Sequence, residues 1–108
     1  MFDFLRSRPV PEIECAEAFE RAQRKDVHLV DVREPHEWQQ MHVDGAISMP
    51  LSQFDVAQLP ADRPLAFLCL SGRRSAGAAR QALAAGRTCS NVAGGLTAWR
   101  MSGLPMRV

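Results

Sequence analysis

The chain has 108 residues, of which 46% are hydrophobic and 23% charged, and its formal net charge is +1. This length and balance are typical of one globular domain with a single core, and the small net charge excludes a global basic field that would attract nucleic acid. The sequence has no apolar run that approaches the ~20 residues that a membrane-spanning helix needs.

The cysteines and the N-terminal residues bear on the cellular compartment. Cys15, Cys69 and Cys89 are an odd number without paired spacing, which is typical of free thiols in a reducing compartment. The first residues lack a long apolar region and a small-residue cleavage site, so they make a poor signal peptide. We therefore expect a cytoplasmic protein without nucleic-acid or membrane partners, as a monomer or a weak homodimer.

The first half of the chain predicts an N-terminal arm followed by regular structure. Residues 1–11 are expected to form the arm, because Pro9 and Pro11 interrupt regular structure, and one domain is expected over 12–108. Three patterns follow in order: apolar residues at helical spacing, a β-branched apolar run that is typical of a strand, and a proline in the first turn of a helix. The elements predicted here are a helix over 14–25, a strand over 27–32 and a short helix over 34–41.

The second half alternates short apolar runs with helical patterns. The run over 65–68 is the most apolar and predicts a central strand. The elements predicted here are strands over 46–49, 65–68 and 90–93, and helices over 51–57, 74–85 or 75–85, and 95–102. Strands separated by helices imply crossover connections. We therefore predict an α/β fold: a small, mainly parallel central sheet of four to five strands, flanked by helices on both faces.

Cys69 ends the central predicted strand and precedes a glycine-containing turn and a helix. Ligands bind beyond the carboxyl ends of the strands in sheets of this kind. A lone cysteine is usually a small buried hydrophobe, but turn N–H groups, a helix N-terminus and two arginines would stabilise a thiolate here. We therefore predict that Cys69 is a nucleophile. Its predicted cradle consists of Leu70, Ser71, Gly72, Arg73, Arg74 and Ser75.

Residues 69–75 resemble the active-site loop of the rhodanese (sulfurtransferase) family, of its single-domain type. The likeness continues in the family's first signature and in its C-terminal signature, in the expected order, and covers about residues 12–108. The segments that carry it are Asp31–Glu34 with Glu37 and Trp38, His42–Ile47 with Pro50, Gly94–Leu96 with Trp99, and Gly103–Pro105. One departure is Met41, where the family usually has glycine, and this affects a helix cap rather than the chemistry.

The resemblance implies a rhodanese-like fold and a sulfurtransferase with ping-pong kinetics. Cys69 would take the outer sulfur of thiosulfate, or of a protein persulfide, and become a persulfide. A thiol or cyanide acceptor would then remove that sulfur. Arg74 would shape the loop and stabilise charge, and Arg73 would attract the anionic donor. The resemblance implies no metal and no organic cofactor.

Two alternatives to sulfur transfer stay open. A non-catalytic rhodanese-like interaction or regulatory module would keep the fold, although it need not retain a thiol between these groups. Cysteine-dependent phosphatases have five residues between the cysteine and the arginine, whereas four separate Cys69 from Arg74, and Ser75 stands where a phosphatase needs arginine. Phosphatase activity is therefore the less favoured of the two.

The other polar residues near the predicted site are interpreted as structural. Asp31 and Arg33 lie at the carboxyl end of a predicted strand, and we expect them to form an ion pair that supports the loop. Glu34 and Glu37 are interpreted as a solvated helix start. His42 is interpreted as a capping or turn residue.

Neither a metal site nor a second reactive thiol is favoured. His36 and His42 are six residues apart, which places them about 120° from a common helix face, so a zinc helix is rejected. Cys15 lies on a helical apolar face and is expected in the core. Cys89 is expected to pack as a small hydrophobe, with a disulfide to Cys69 as the alternative.

Overall fold

The computed structural model describes residues 9–108, so most of the predicted arm over 1–11 lies outside the described residues. The strands are β1 (Glu12–Ile13), β2 (His28–Asp31), β3 (Ile47–Ser48), β4 (Leu65–Leu68) and β5 (Cys89–Val92). The helices are α1 (Cys15–Gln23), α2 (Pro35–Gln40), α3 (Arg73–Ala84) and α4 (Gly95–Met101). Within residues 9–108, every helix is too short or too polar to reach across a bilayer.

The five strands form one parallel sheet in the order β1-β5-β4-β2-β3. Helices cover both of its faces: α1 and α4 pack on one face, and α3 packs on the other. The predicted α/β fold with a parallel sheet of four to five strands is confirmed. Because all strands run the same way, their carboxyl ends meet at one edge, where β2, β4 and β5 bring their following loops together.

Strand β1 was not expected from the sequence. The Asn91 N–H donates to the Pro11 carbonyl at 2.8 Å, and the Ala93 N–H donates to the Ile13 carbonyl at 2.9 Å. A two-residue strand is too short to show an alternating pattern, and its partner β5 lies far along the chain. The pairing makes β1 the edge of the sheet next to β5.

The predicted helix over 51–57 is wrong. The chain forms two separate 3₁₀ turns here, Leu51–Gln53 and Val56–Gln58, with an extended Phe54 between them. The Asp55 side chain accepts a hydrogen bond from the Ala57 N–H at 3.1 Å and so caps the second turn. An aspartate that bonds to the nearby backbone competes with a continuous helix.

The alternation of side chains along β4 decides where Cys69 points. Ala66 and Leu68 belong to the core layer under α1 and α4, whereas Leu65 and Phe67 belong to the layer under α3. Cys69 continues the two-residue period and lies in the α3 layer as well. The strand therefore directs the sulfur towards the start of α3.

Candidate active site

The Cys69 side chain has no exposed surface, and polar hydrogens surround its sulfur. The Gly72 N–H donates to Sγ at 3.1 Å, and the Ser75 N–H donates to it at 3.3 Å. The Ser75 hydroxyl oxygen also lies 3.3 Å from Sγ. The sulfur is therefore buried, as an inert cysteine would be, but with the loop amides aimed at it.

The Cys69 sulfur takes the place of a helix cap. Gly72 is the N-cap residue of α3, and it adopts a left-handed conformation (φ 98°) that favours glycine. Gly72 has no side chain that could cap α3, and Ser75 is the third residue of the helix, where an N–H has no partner within the helix. Sγ accepts this N–H, so the end of α3 that favours negative charge lies against the sulfur.

Opposing effects act on the pKa of Cys69. Burial alone would raise it, because the thiolate is poorly solvated there. Hydrogen bonds from the Ser75 hydroxyl and from the amides of Ser75, Gly72 and Ser71 outweigh burial and hold the pKa below its ordinary value. The turn N–H groups expected from the sequence, together with the Ser75 hydroxyl, are therefore the main cause of the lowered pKa.

Asn91 completes the cradle and was missed by the sequence analysis. Its Nδ2 donates to the Gly72 carbonyl at 2.9 Å, and its Oδ1 lies 2.6 Å from the Ser75 hydroxyl oxygen. Only 2% of Asn91 is exposed. The signal for it was a polar amide within an otherwise buried strand, because a buried amide needs partners.

Arg74 is held by Glu37 rather than turned towards the sulfur. Its two terminal nitrogens donate to the two Glu37 oxygens at 2.8 and 2.9 Å. The hydrogen bonds from Arg74 are the main reason that the pKa of Glu37 is lowered to about 2. The expectation that Glu37 is solvated is therefore wrong, since it ties α2 to the first turn of α3.

Glu34 is likewise engaged. Its N–H donates to Glu37 Oε1 at 3.0 Å, which completes a capping box at the start of α2. Its own carboxylate accepts from the Ser52 hydroxyl at 2.8 Å. The two glutamates of the predicted solvated start therefore fix the position of α2.

Asp31 and Arg33 form a buried ion pair at the carboxyl end of β2. The Arg33 Nη2 donates to Asp31 Oδ2 at 2.9 Å, and the Arg33 N–H donates to Asp31 Oδ1 at 2.9 Å. Arg33 Nη2 also donates to the Met41 carbonyl at 2.7 Å, at the end of α2. The pair therefore supports α2, and through Glu37 and Arg74 it supports the loop.

The side chains of the remaining loop residues face outward. Leu70, Ser71 and Arg73 are exposed, so none of them encloses the sulfur with its side chain. Leu70 lines a cavity of about 170 Å³ beside the loop, together with Met41, Arg100 and other residues.

Gly95 allows α4 to approach the cysteine loop closely. The N–H groups of Leu96 and Thr97 donate to the carbonyls of Cys69 and Leu70 at 2.8 and 3.0 Å. A Cβ atom on Gly95 would lie 2.5 Å from the Cys69 carbonyl oxygen and 2.6 Å from the Leu70 carbonyl oxygen. Gly95 therefore has to be glycine for the loop carbonyls to be held by α4.

The other two cysteines are free and buried. Cys15 belongs to the core under α1 and α4. Cys89 pairs in register with Leu65, four residues before Cys69, which is about 13 Å along the strand at the rise of a parallel strand. A disulfide needs the two Cα atoms within about 7 Å, so the structure excludes a Cys69–Cys89 bond.

His42 has structural contacts. Its ring stacks on Trp38 with the centroids 3.9 Å apart, and its Nδ1 bonds with the Trp38 carbonyl at 2.9 Å. Its backbone bridges to Arg107 near the C-terminus. In the part of the chain that the structure describes, His, Cys, Asp and Glu side chains form no group of three that could hold a metal ion.

The rhodanese-like domain model matches residues 14–102. The chain therefore belongs to the rhodanese-like domain family, and the resemblance found in its motifs is confirmed. It is similar to a sulfurtransferase of Allochromatium vinosum, with 34% identity over 90% of this chain and 94% of that protein. It is also similar to the thiosulfate sulfurtransferase GlpE of Vibrio cholerae, with 33% identity over 78% of this chain and 82% of that protein.

A solved structure of a rhodanese-related protein from Thermoplasma volcanium has the same fold. Its TM-score is 0.82 at 29% identity, over 90% of this chain and 97% of that one. The chain spans about half the length of two further curated relatives, 48% of one from Synechocystis and 45% of one from Mycobacterium tuberculosis.

Proposed function

We propose that the protein is a sulfurtransferase that carries a sulfane sulfur as a persulfide on Cys69. The observation that carries this proposal is the Cys69 sulfur at the start of α3, where two amide N–H groups donate to it, the Ser75 hydroxyl oxygen lies 3.3 Å away and its pKa is lowered. A thiolate is the nucleophilic form of cysteine. Thiosulfate, or a protein persulfide, is the donor, and a thiol or cyanide is the acceptor.

The first half-reaction loads the cysteine. The Cys69 thiolate attacks the outer sulfur of thiosulfate, a new sulfur–sulfur bond forms, and the bond to the sulfonate sulfur breaks with its electron pair. Sulfite leaves, and the enzyme holds a persulfide anion. The total charge is unchanged, and no metal or redox cofactor takes part. With a persulfide donor, the leaving group is the donor's own thiolate.

The second half-reaction unloads the cysteine. An acceptor thiolate attacks the outer sulfur of the persulfide and leaves with it as a new persulfide, and the Cys69 thiolate is regenerated. Cyanide leaves as thiocyanate by the same route. The amides that point at Sγ stabilise the leaving thiolate, because fixed dipoles at a buried site need no reorganisation.

The two loop arginines have different parts in this proposal. Arg73 is exposed at the first position of α3, where its charge attracts an anionic donor. Arg74 is bound to Glu37 through two hydrogen bonds, so it fixes the loop that presents the amides. Sequence relatives named sulfurtransferase and thiosulfate sulfurtransferase support the proposed chemistry and the choice of thiosulfate as a first donor.

Intact-protein mass spectrometry after exposure to thiosulfate tests the proposal. We expect a mass gain of one sulfur atom, which cyanide or a small thiol then removes. The Cys69→Ser variant should show no gain, whereas Cys89→Ser is the matched control and should gain sulfur like the parent. If neither thiosulfate nor a small persulfide donor adds sulfur to the folded parent protein, the proposal is wrong, and a non-catalytic module becomes the better reading.

A further inference from the structure

The orientation of the Asn91 amide is fixed by its neighbours. A backbone carbonyl can only accept a hydrogen bond, so the amide atom 2.9 Å from the Gly72 carbonyl is the donor Nδ2. The carbonyl atom Oδ1 must then face Ser75. Because Oδ1 also only accepts, the hydrogen between it and the Ser75 oxygen comes from the Ser75 hydroxyl.

That single hydroxyl hydrogen has two competing acceptors. Oδ1 of Asn91 lies 2.6 Å from the Ser75 oxygen, whereas Sγ of Cys69 lies 3.3 Å from it. A serine hydroxyl donates one hydrogen bond and accepts others. While its hydrogen points to Asn91, a lone pair of the Ser75 oxygen is free to face the sulfur.

We propose that Asn91 is a positioning residue that decides, through the hydroxyl hydrogen of Ser75, whether the Cys69 sulfur meets a donor or a lone pair. In the thiol form, the sulfur donates its hydrogen to the Ser75 oxygen, and Ser75 donates to Asn91. When the sulfur loses its proton to solvent, the Ser75 hydroxyl turns to the sulfur, and Oδ1 gives up its partner. Ser75 keeps its own proton throughout.

Asn91 therefore acts in two ways on the same sulfur. Its Nδ2 anchors the Gly72 carbonyl and so holds the turn whose amide donates to Sγ. Its Oδ1 competes for the Ser75 hydroxyl, which favours the thiol. A purely structural role would require only the first of these contacts, so the competition is the part that distinguishes the proposal.

The charged groups near the sulfur are the same in all variants used below. The charge of Arg74 on α3 interacts with Cys69: hydrogen bonds with Glu37 are the main cause of the raised pKa of Arg74, and the charges of Cys69 and Asp31 add to the rise. The Asp31–Arg33 pair lies at the end of β2. From β5 and the start of α4, the buried neighbours Asn91 and Gly95 present no charge.

A double-mutant cycle on the pKa of Cys69 tests the proposal, with thiol alkylation against pH as the measurement. Ser75→Ala should raise this pKa in the parent, and it should raise it by about half a unit more in the Asn91→Leu background, where the hydroxyl has only the sulfur to bond. Loss of the Gly72 anchor is common to both Asn91→Leu proteins and cancels. Ser90→Ala, on the same strand, is the control background. In it, Ser75→Ala should raise the pKa of Cys69 by the same amount as in the parent.

Equal effects of Ser75→Ala in the two backgrounds would overturn the proposal. Should Asn91→Leu fail to fold, the parent protein gives the answer by NMR. The Asn91 side-chain amide signal should shift with pH at the midpoint of Cys69, and this shift should be lost in Ser75→Ala. A shift of equal size in the parent and in Ser75→Ala would contradict the proposal that the Ser75 hydroxyl connects Asn91 to Cys69.

The inference rests on the proposed function only in that both concern the Cys69 sulfur. The titrations contain no sulfur donor, so they report on the hydrogen bonds whether or not sulfur is transferred. A protein that accepts sulfur but shows additive pKa effects would retain the proposed function and lose the role of Asn91. A protein with the predicted coupling but without sulfur uptake would do the reverse.

Discussion

The two ends of the sheet each carry one buried cysteine in the layer under α3, and their pKa values move in opposite directions. Cys69 at the carboxyl end is 0% exposed and Cys89 at the amino end is 6% exposed. Burial raises the pKa of Cys89 to about 11, although the charge of Arg87 opposes it. At Cys69, burial is outweighed by hydrogen bonds from Ser75 and the loop amides.

The comparison teaches that burial alone does not decide the direction in which the pKa of a thiol moves. The Cys89 sulfur donates to the carbonyl of Ala79 at 3.4 Å, in the middle of α3. The Cys69 sulfur accepts from N–H groups at the start of the same helix. One helix therefore stabilises the thiol at one cysteine and the thiolate at the other.

The polar side-chain pairs at the two ends, unlike the cysteines, differ in burial. Asp31 and Arg33 at the carboxyl end have side chains that are 0% and 6% exposed, whereas Asp62, which pairs with His28 at the amino end, is 61% exposed. Charges removed from water depend strongly on their partners, and exposed ones do not. The carboxyl end is therefore where single substitutions should cost most.

Asp31→Asn should have the largest effect on stability. It leaves the buried Arg33 without a countercharge, and breaking such a pair costs about 3–5 kcal/mol. The matched change at the other end, Asp62→Asn, should leave the urea midpoint within experimental error. Equal midpoints for both variants would remove the distinction between the two ends.

Gly95→Ala should have the second-largest effect on stability, with a cost on the order of 3 kcal/mol. The added Cβ would clash with two loop carbonyls, and the φ of Gly95 is +59°. Gly86 at the amino end also has a positive φ, +84°, but open space around it. Gly86→Ala should cost only about 1 kcal/mol, the cost of the left-handed conformation for a residue with a Cβ. Urea unfolding measures both, and a Gly95→Ala cost no larger than that of Gly86→Ala would contradict the crowding.

The titration midpoints of the two thiols should lie at least about two pH units apart, since Cys89 is raised to about 11 and Cys69 is lowered from 9.0. Site-resolved alkylation against pH, read by peptide mass spectrometry, gives both midpoints. The Cys15→Ser background simplifies the analysis. Coinciding midpoints would show that the donor hydrogens do not govern Cys69.

Glu37→Gln should have the smallest of these effects, about 1–2 kcal/mol, because its partner Arg74 is 39% exposed and solvent screens the pair. The folded pKa of Glu37, about 2, lies below its ordinary 4.5, so the pair stabilises the protein fully above pH 4.5 and progressively less as the pH falls towards 2. Urea unfolding at pH 7 and below should show the parent's advantage shrinking.

The control for Glu37→Gln is Glu17→Gln. Glu17 lies 4.0 Å from Arg21 on the exposed face of α1, a pair that contributes only a few tenths of a kcal/mol. A parent–variant difference for Glu37→Gln that does not depend on pH would mean that packing, rather than charge, carries its contribution.

Local patterns in the sequence were sufficient for the elements that frame the site. The bounds of β4, Leu65–Leu68, agree with the prediction because a short apolar run between a proline and a turn has few other solutions. The start of α3 at Arg73 was missed by one or two residues, since Gly72 caps the helix without a side-chain signal.

Contacts between distant parts of the chain could not be predicted in this way. Arg74 bonds to Glu37 across 37 positions, and Ser75 bonds to Asn91 across 16. Periodicity assigns a residue to a face of its own element but does not say what lies opposite. The cradle donors on the cysteine loop were therefore predictable, whereas the side chains that hold the loop were not.

The Cys69 sulfur is both the proposed nucleophile and the acceptor for amide hydrogens at the start of α3. Substitution can therefore separate its chemical role from its structural role. Serine at this position retains an oxygen that receives amide hydrogens at a helix start, whereas alanine leaves two buried N–H groups unsatisfied, at about 1–3 kcal/mol. The Cys69→Ser substitution would thus keep the fold of the loop while removing the thiol that the proposed sulfur transfer needs. In the Cys69→Ser variant, reactivity would be lost without a change in the fold.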